Sequence, residues 1–475
     1  MKKKNGSDIT HLVLKAMGVF GGVQSLSILC SVIRMKLVAL WIGVPGVGLF
    51  AIFNQAFELI SSTTQLSIRS SSVRDIAAHK SSAEAIRNAT ALIVRKWGWM
   101  LGLFGAVVML ATAPLFSRFT FGNYDHTWQF ALLSVCVFLS AITSSEGAIM
   151  QGLERYKRLA LSTLYGTFGG LIISIPMFYF LKINSIIPSI IAYVVSLATA
   201  TVFYRIKGLK TDHLVTRKET LEKGRTFIVL GAYMTASGFV AMLLNYVLTA
   251  YLNYRGGETL VGFYQAGYTL VNKYVGLIFV AIGMEFYPRL ASVSDSIKRS
   301  SVYISHEISL IMMLLISLVT IFICVAQLTV KIIYSEAFIP ILPFVVLSMA
   351  GMVFRGFSWC MSYGILARGE GSVYIWTESV SSVLGLIFNI IAYEYYGITG
   401  FGISFTLWYM AYAAIIYGVT LRRGIRISHK SLMLTLLTLI VVSLQIFFYF
   451  TCDMWVLFGF ALACIFFTLI SLLKF

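Results

Sequence analysis

Apolar runs of 18 residues or more recur from one end of the chain to the other, and that recurrence decides the fold class. Each run is long enough to cross the roughly 30 Å hydrocarbon core of a bilayer as a helix. Lipid offers the backbone no hydrogen bonds, so a spanning segment satisfies its own polar groups as a helix or in a closed barrel. The runs are continuous rather than alternating, which excludes a transmembrane β-barrel. Charged residues make up 12% of the chain and hydrophobic residues 58%, about half the charge fraction of a soluble domain. The expectation is an all-α integral membrane protein with about 14 transmembrane helices, near 14–41, 46–69, 97–117, 127–150, 159–181, 186–204, 226–252, 260–286, 302–326, 340–366, 373–394, 398–421, 432–450 and 455–473. Lys2, Lys3 and Lys4 precede no short apolar core with a cleavage site, so the first run reads as a retained span.

The net charge of +18 invites a nucleic-acid reading, but the cations lie in short loops between spans. With a cytoplasmic N-terminus, 28 Lys/Arg fall in inside segments and four outside, Arg118, Lys182, Arg255 and Lys331. That asymmetry is the positive-inside pattern, and it puts both termini in the cytoplasm. The partners expected are membrane lipids, which the basic loops suit, and no nucleic acid. None of the six cysteines is paired at metal or redox spacing and the six histidines are scattered, so no metal site and no cofactor is expected.

A faint repeat supports a two-lobed organisation. VGLFAIFNQAFELISS begins at Val47 and VGFYQAGYTLVNKYVG at Val261; Arg74 and Arg289 follow at similar distances. The expected domains are an N-lobe of spans 1–6 (residues 1–204), a cytoplasmic linker (205–225), a C-lobe of spans 7–12 (226–421) and a C-terminal helix pair (422–475). The lobes are expected to be related by a pseudo-two-fold axis along the membrane normal, as in transporters with parallel repeats.

The second span is not uniformly greasy. Asn54, Glu58, Ser61, Gln65 and Arg69 fall within about 80° of one helical face, along about 22 Å. Gln24, Ser27, Ser31 and Arg34 form a similar stripe, as do Gln265, Tyr268 and Asn272 with Lys273 at the edge. So do Arg355, Trp359 and Ser362, and Glu378, Ser382, Gly385, Asn389 and Tyr393. An ionisable group facing lipid costs roughly 2.5–3.5 kcal/mol or more, so such groups face a bundle interior or water. The stripes imply a shared polar cavity whose cations Arg34, Arg69, Lys273 and Arg355 outnumber Glu58 and Glu378. Its complement is an anionic ligand, since guanidinium binds phosphate bidentately. A bundle-locking salt bridge is the other reading for Arg34, Glu58 and Arg355. Snorkelling to the interface is the other reading for Arg69 and the leading one for Lys36. Glu285 reads as structural, and Glu146 reads either way.

IRMKLVALWIGVPGVGLFAIFNQAFELISS followed by VRDIAAH, and VGFYQAGYTLVNKYVGLIFVAIGMEFYPRLAS, resemble the bacterial polysaccharide flippases, the O-antigen translocases. Their superfamily also holds the multidrug and toxin extrusion antiporters and the lipid II flippases. The resemblance implies two six-helix lobes around a V-shaped cavity, with alternating access. It implies export of a polyprenyl-pyrophosphate-linked oligosaccharide across a bacterial inner membrane, with polysaccharide polymerase machinery as a further partner. On that reading Arg34 and Arg355 neutralise the pyrophosphate, and Arg69 and Lys273 add positive charge, Arg69 at the inner mouth. Gln24, Asn54, Gln65, Asn272 and Asn389 hydrogen-bond sugars, and Glu58 and Glu378 are candidates for ion coupling. The alternative is a cation-coupled multidrug antiporter, which the basic stripe balance disfavours. A membrane enzyme is disfavoured by the short outer loops and by the lack of a nucleophile–base or metal constellation.

Overall fold

A computed structural model describes residues 6–78, 84–209 and 216–474. The side chains of some helical residues, Gln24 and Lys273 among them, lie outside the described residues. Every regular element among the described residues is helical. Nine helical stretches among them are long and apolar enough to cross a membrane. The chain forms two compact units, Met1–Val261 and Gly262–Phe475.

The first unit contains α1 (Gly6–Trp41), α2 (Val44–Thr64), α3 (Ile68–Ala78), α4 (Glu84–Phe121), α5 (Thr127–Gly152), α6 (Tyr156–Leu181), α7 (Ile186–Tyr204) and most of α8 (Arg217–Thr269). Gly98 and Gly102 on α4 sit against Ser145 and Ala141 of α5, where an added Cβ would collide. Small residues let neighbouring backbones approach without a hydrophobic driving force. Gly166 and Gly170 of α6 meet Leu197 and Tyr193 of α7 in the same way. Those pairings run in opposite directions, so α6 and α7 form an antiparallel hairpin about the 3₁₀ turn Lys182–Ser185.

The second unit opens with the end of α8 and a π-helical turn, Leu270–Val275, and continues through α9 (Leu277–Ser292), α10 (Ile297–Ile333), α11 (Leu342–Ala367), α12 (Gly371–Arg422), α13 (His429–Thr451) and α14 (Met454–Lys474). At 52 residues α12 runs about 78 Å, too long for one crossing. It is broken at Gly397, where φ is 58° and ψ −140°, a conformation that glycine adopts without a Cβ penalty. Hydrogen bonds from Ser404 to Asn389, Trp408 to Ser381 and Tyr412 to Glu378 tie the two halves together antiparallel. α8 breaks in the same fashion at Gly257, φ 65°.

The span expected over 46–69 is not one continuous helix. α2 stops at Thr64, and Leu66 (φ 48°) and Ser67 (φ 46°) turn the chain before α3 begins at Ile68. The reason is burial. The turn lets Ile68 and Ile76 pack with Ala91, Ile93, Val94, Leu101 and Ile149, with Leu66 and Trp97 at the edge of the cluster. The basic stretch 70–96, expected as a connection, therefore holds α3 and the first turns of α4.

Candidate functional site

In the first unit, most of α2 is buried, from Val44 through Ile60 on its apolar side. What stays open is mostly polar: Asn54, Gln55, Ser62 and Thr63 are half-buried, as is Phe57, and Glu58 is exposed. Asn54 Nδ2 donates to Glu58 Oε1 at 2.7 Å, an i,i+4 pair that orients the carboxylate. α4 shows the opposite open face, with Leu103, Phe104, Val107, Leu110 and Leu115 exposed. The two faces demand different solvents, lipid for α4 and water for α2.

Deeper along α2 the stripe closes into a network with α5. Gln65 Nε2 donates to Ser140 Oγ at 2.7 Å and Gln65 Oε1 accepts from Ser144 Oγ at 3.0 Å. Ser61 Oγ lies 3.4 Å from Ser140 Oγ. Gln65 is buried, and both ends of its amide are used. Ser140 and Ser144 were not singled out in the sequence; their spacing of four in an apolar span was the available signal.

Arg34 of α1 lies over two aromatic faces, with Cζ 4.2 Å from the Tyr193 ring centroid and 5.0 Å from that of Phe50. Such contacts contribute roughly 0.5–2 kcal/mol and leave N–H donors for a ligand. Arg69 lies beyond the α2–α3 turn and is exposed. It lines a cavity of about 120 Å³ with Thr143, Ser162, Thr163 and Thr201. The regular stripe drawn from Asn54 therefore does not extend along one helix to Arg69.

In the second unit the counterpart is built on a distorted helix. Asn272 and Lys273 lie in the π turn Leu270–Val275, a form that recurs at functional sites. Arg355 Nη1 on α11 donates to Asn272 Oδ1 at 2.6 Å, while Asn272 Nδ2 donates to the Tyr268 carbonyl at 3.2 Å. Arg355 Cζ also lies 5.4 Å from the Phe279 ring and 5.6 Å from the Tyr409 ring. Any Cβ at Gly276 would strike the Asn272 carbonyl, so glycine there lets the turn close beside the guanidinium. Among the described residues neither Arg34 nor Arg355 is in an ion pair; amide and aromatic groups surround them.

The remaining candidates differ in kind. Glu378 Oε1 accepts from Ser362 Oγ at 2.9 Å and from Tyr412 Oη at 2.5 Å. Asn389, 4% exposed, donates to the Gly385 carbonyl at 2.7 Å and accepts from Ser404 Oγ at 2.8 Å, within the α12 hairpin. Gln24 and Lys273 have side chains outside the described residues. Glu146, which read either way, is paired with Arg95 through both carboxylate oxygens, the Nη2–Oε2 contact at 2.9 Å, and Arg95 Nη2 also donates to the Ile206 carbonyl at 3.0 Å. Glu285 pairs with Arg289 one turn along α9. The aromatic cradles of Phe50, Tyr193, Phe279 and Tyr409 had no signal in the sequence, since aromatic residues occur throughout the spans.

The fold has known counterparts. A structure described as the inward-facing conformation of a multidrug resistance MATE family transporter of the MOP superfamily is similar at TM-score 0.66 and 14% identity, covering 84% of this chain and 94% of its own. The lipid II flippase MurJ in an inward closed conformation is similar at TM-score 0.65 and 15% identity, covering 95% and 97%. A MOP superfamily transporter from Pyrococcus furiosus, described as having a binding pocket of reverse polarity, is similar at TM-score 0.59 and 15% identity, covering 86% and 93%. These likenesses establish the fold. No curated protein sequence matches the chain significantly. Residues 48–343 match the family described as polysaccharide biosynthesis protein. That match takes in more than half of the chain and includes α2, the π turn and the α9–α10 hairpin, so this MOP-fold, multi-pass membrane protein belongs to the polysaccharide biosynthesis protein family.

Proposed function

We propose that the protein is a flippase that carries a polyprenyl-pyrophosphate-linked oligosaccharide, an O-antigen or similar surface-polysaccharide unit, from the cytoplasmic to the outer leaflet of the inner membrane by alternating access. The observation that carries this reading is the open face of α2 with Asn54 and Glu58, in a helix whose other sides are largely buried. A pyrophosphate and sugars cannot cross hydrocarbon bare, because burying unpaired charge and unsatisfied hydroxyls costs many kcal/mol. Arginines, amides and hydroxyls inside the membrane take the place of water.

Arg34 and Arg355 suit the pyrophosphate because aromatic faces hold each guanidinium, joined at Arg355 by the Asn272 amide, without a carboxylate neutralising it. Asn54, Asn272 and Gln24 are proposed to serve the sugars, with Gln65 and Asn389, whose buried amides are engaged with Ser140, Ser144, Gly385 and Ser404, holding the surrounding helices, and with Lys273 and Arg69 adding positive charge, Arg69 at the inner mouth. Glu58 and Glu378 are the candidates for a second, ion-coupled route beside the membrane potential. Interrupted helices support the same reading. The chain turns at Gln65–Ser67, just after the first copy of the repeat, and is π-helical at Leu270–Val275 within the second, and interrupted helices line binding sites in transporters. In this role the protein performs transport rather than chemistry and hands its cargo to the polymerase machinery.

The test is flipping in a strain lacking its own translocase. Arg34→Ala and Arg355→Ala are expected to reduce export of the lipid-linked glycan at least tenfold with normal protein levels. Export at the wild-type rate in both variants ends the assignment. A gain of resistance to cationic drugs without glycan export supports the antiporter reading instead.

A further inference from the structure

The loop end of the α9–α10 hairpin holds a cavity of about 360 Å³ that none of the stripes above uses, lined by Glu285, Phe286, Arg289, Tyr303, His306 and Glu307. Its volume falls at the small end of ligand pockets, about 300–1,000 Å³. Its lining combines two surfaces. One is apolar and aromatic: Phe286 is buried and fixed by Trp359 and Tyr363, with ring centroids 5.8 and 6.2 Å away, and Tyr303 is 40% exposed. The other is polar. Arg289 pairs with Glu285 across one helical turn, and Glu307, half-buried on α10, lies within electrostatic reach of both.

This chemistry selects its ligand. Two carboxyl groups stand beside one guanidinium that already serves Glu285, which leaves no cation to pair an anion such as pyrophosphate or a uronate. A carboxyl group offers two oxygens that accept hydrogen bonds, and a donor as well when protonated, which suits neighbouring hydroxyls. An aromatic face suits an apolar C–H face. A pyranose ring carries both, with C–H groups on its faces and hydroxyls at its rim. The lining residues lie roughly 6–17 Å along the helices from the Val293–Ser296 turn, at the loop end of the hairpin rather than midway along it. We propose that this cavity is a sugar subsite, which holds a non-anionic ring of the glycan while its lipid stays in the bilayer. The proposal rests on the flippase reading and adds to it a site on the second unit, distinct from the pyrophosphate arginines.

The test is saturation-transfer NMR on the full-length protein in nanodiscs, with methyl glucoside, N-acetylglucosamine and glucuronate as probes. Transfer is expected to the two non-anionic sugars and not to glucuronate. Tyr303→Ala and Glu307→Gln, checked for unchanged melting temperature, are each expected to weaken the signal at least fivefold. Three results overturn the proposal: no transfer to either non-anionic sugar, equal transfer to glucuronate, or full transfer in both stably folded variants. Wild-type protein that binds the sugars but flips no lipid-linked glycan refutes the transport reading and leaves the sugar site standing.

Discussion

Two arginines of this chain face opposite demands. Arg95 is bound through both oxygens of Glu146, which is 2% exposed, and gives a further hydrogen bond to a backbone carbonyl. Arg355 meets an amide oxygen and two ring faces. The first arrangement fixes α4 to α5; the second leaves charge available to a ligand. Sequence spacing located both acidic and basic groups inside the membrane but not this division, because a partner 51 or 83 residues away has no local signature. The difference is measurable. Glu146→Ala strands the Arg95 charge and is expected to cost about 2–3 kcal/mol, below the roughly 3–5 kcal/mol of a fully buried pair because the Arg95 side chain keeps 20% exposure. Arg355→Ala is expected to leave the unfolding midpoint in detergent within about a degree while lowering flipping. A larger loss of stability in Arg355→Ala than in Glu146→Ala reverses the assignment of roles.

At the scale of elements, hydrophobic run length revealed most of the helices, and their turns where glycine or charge marked them. The break within α12 was legible, since Tyr395-Tyr396-Gly397 separates two apolar runs. The end of α2 was not. Gln65-Leu66-Ser67 contains neither glycine nor proline, and polar residues continue at helical spacing through it, so a straight helix fits the pattern. Only the burial of Ile68 and Ile76 against α4 and α5 explains the turn, and that is a tertiary effect. The π turn was hidden for the same reason. Backbone conformation at Gly397 predicts a specific result. A Cβ there meets nothing within 4 Å, so Gly397→Ala carries no clash, only the strain of a backbone that L-residues avoid, about 1–3 kcal/mol. Gly418→Ala, inside the second half of α12 with equally open space, is expected to stabilise by about 0.5–1 kcal/mol. Thermal unfolding of the two variants in detergent checks the pair, and equal shifts would show that the α12 turn is not held as described.

The whole molecule poses the question of driving force. Its cations divide 28 to four between alternate sides of the expected spans, and by the positive-inside pattern the basic loops are expected to face the negative interior. On the proposed flippase reading, a pyrophosphate diester leaving that interior would carry about two negative charges down the membrane potential. At about 2.3 kcal/mol per charge per 100 mV, the gradient supplies about 4.6 kcal/mol, enough to hold the lipid-linked glycan more than a thousandfold towards the outer leaflet. No proton is required by this arithmetic. In proteoliposomes with an imposed potential and no pH gradient, export is therefore expected to proceed and to accelerate as the potential rises. Glu58→Gln, which keeps an acceptor for the Asn54 amide, is expected to retain that dependence. Export that ignores the potential, follows an imposed pH gradient and disappears in Glu58→Gln would make proton exchange through α2 the energy source.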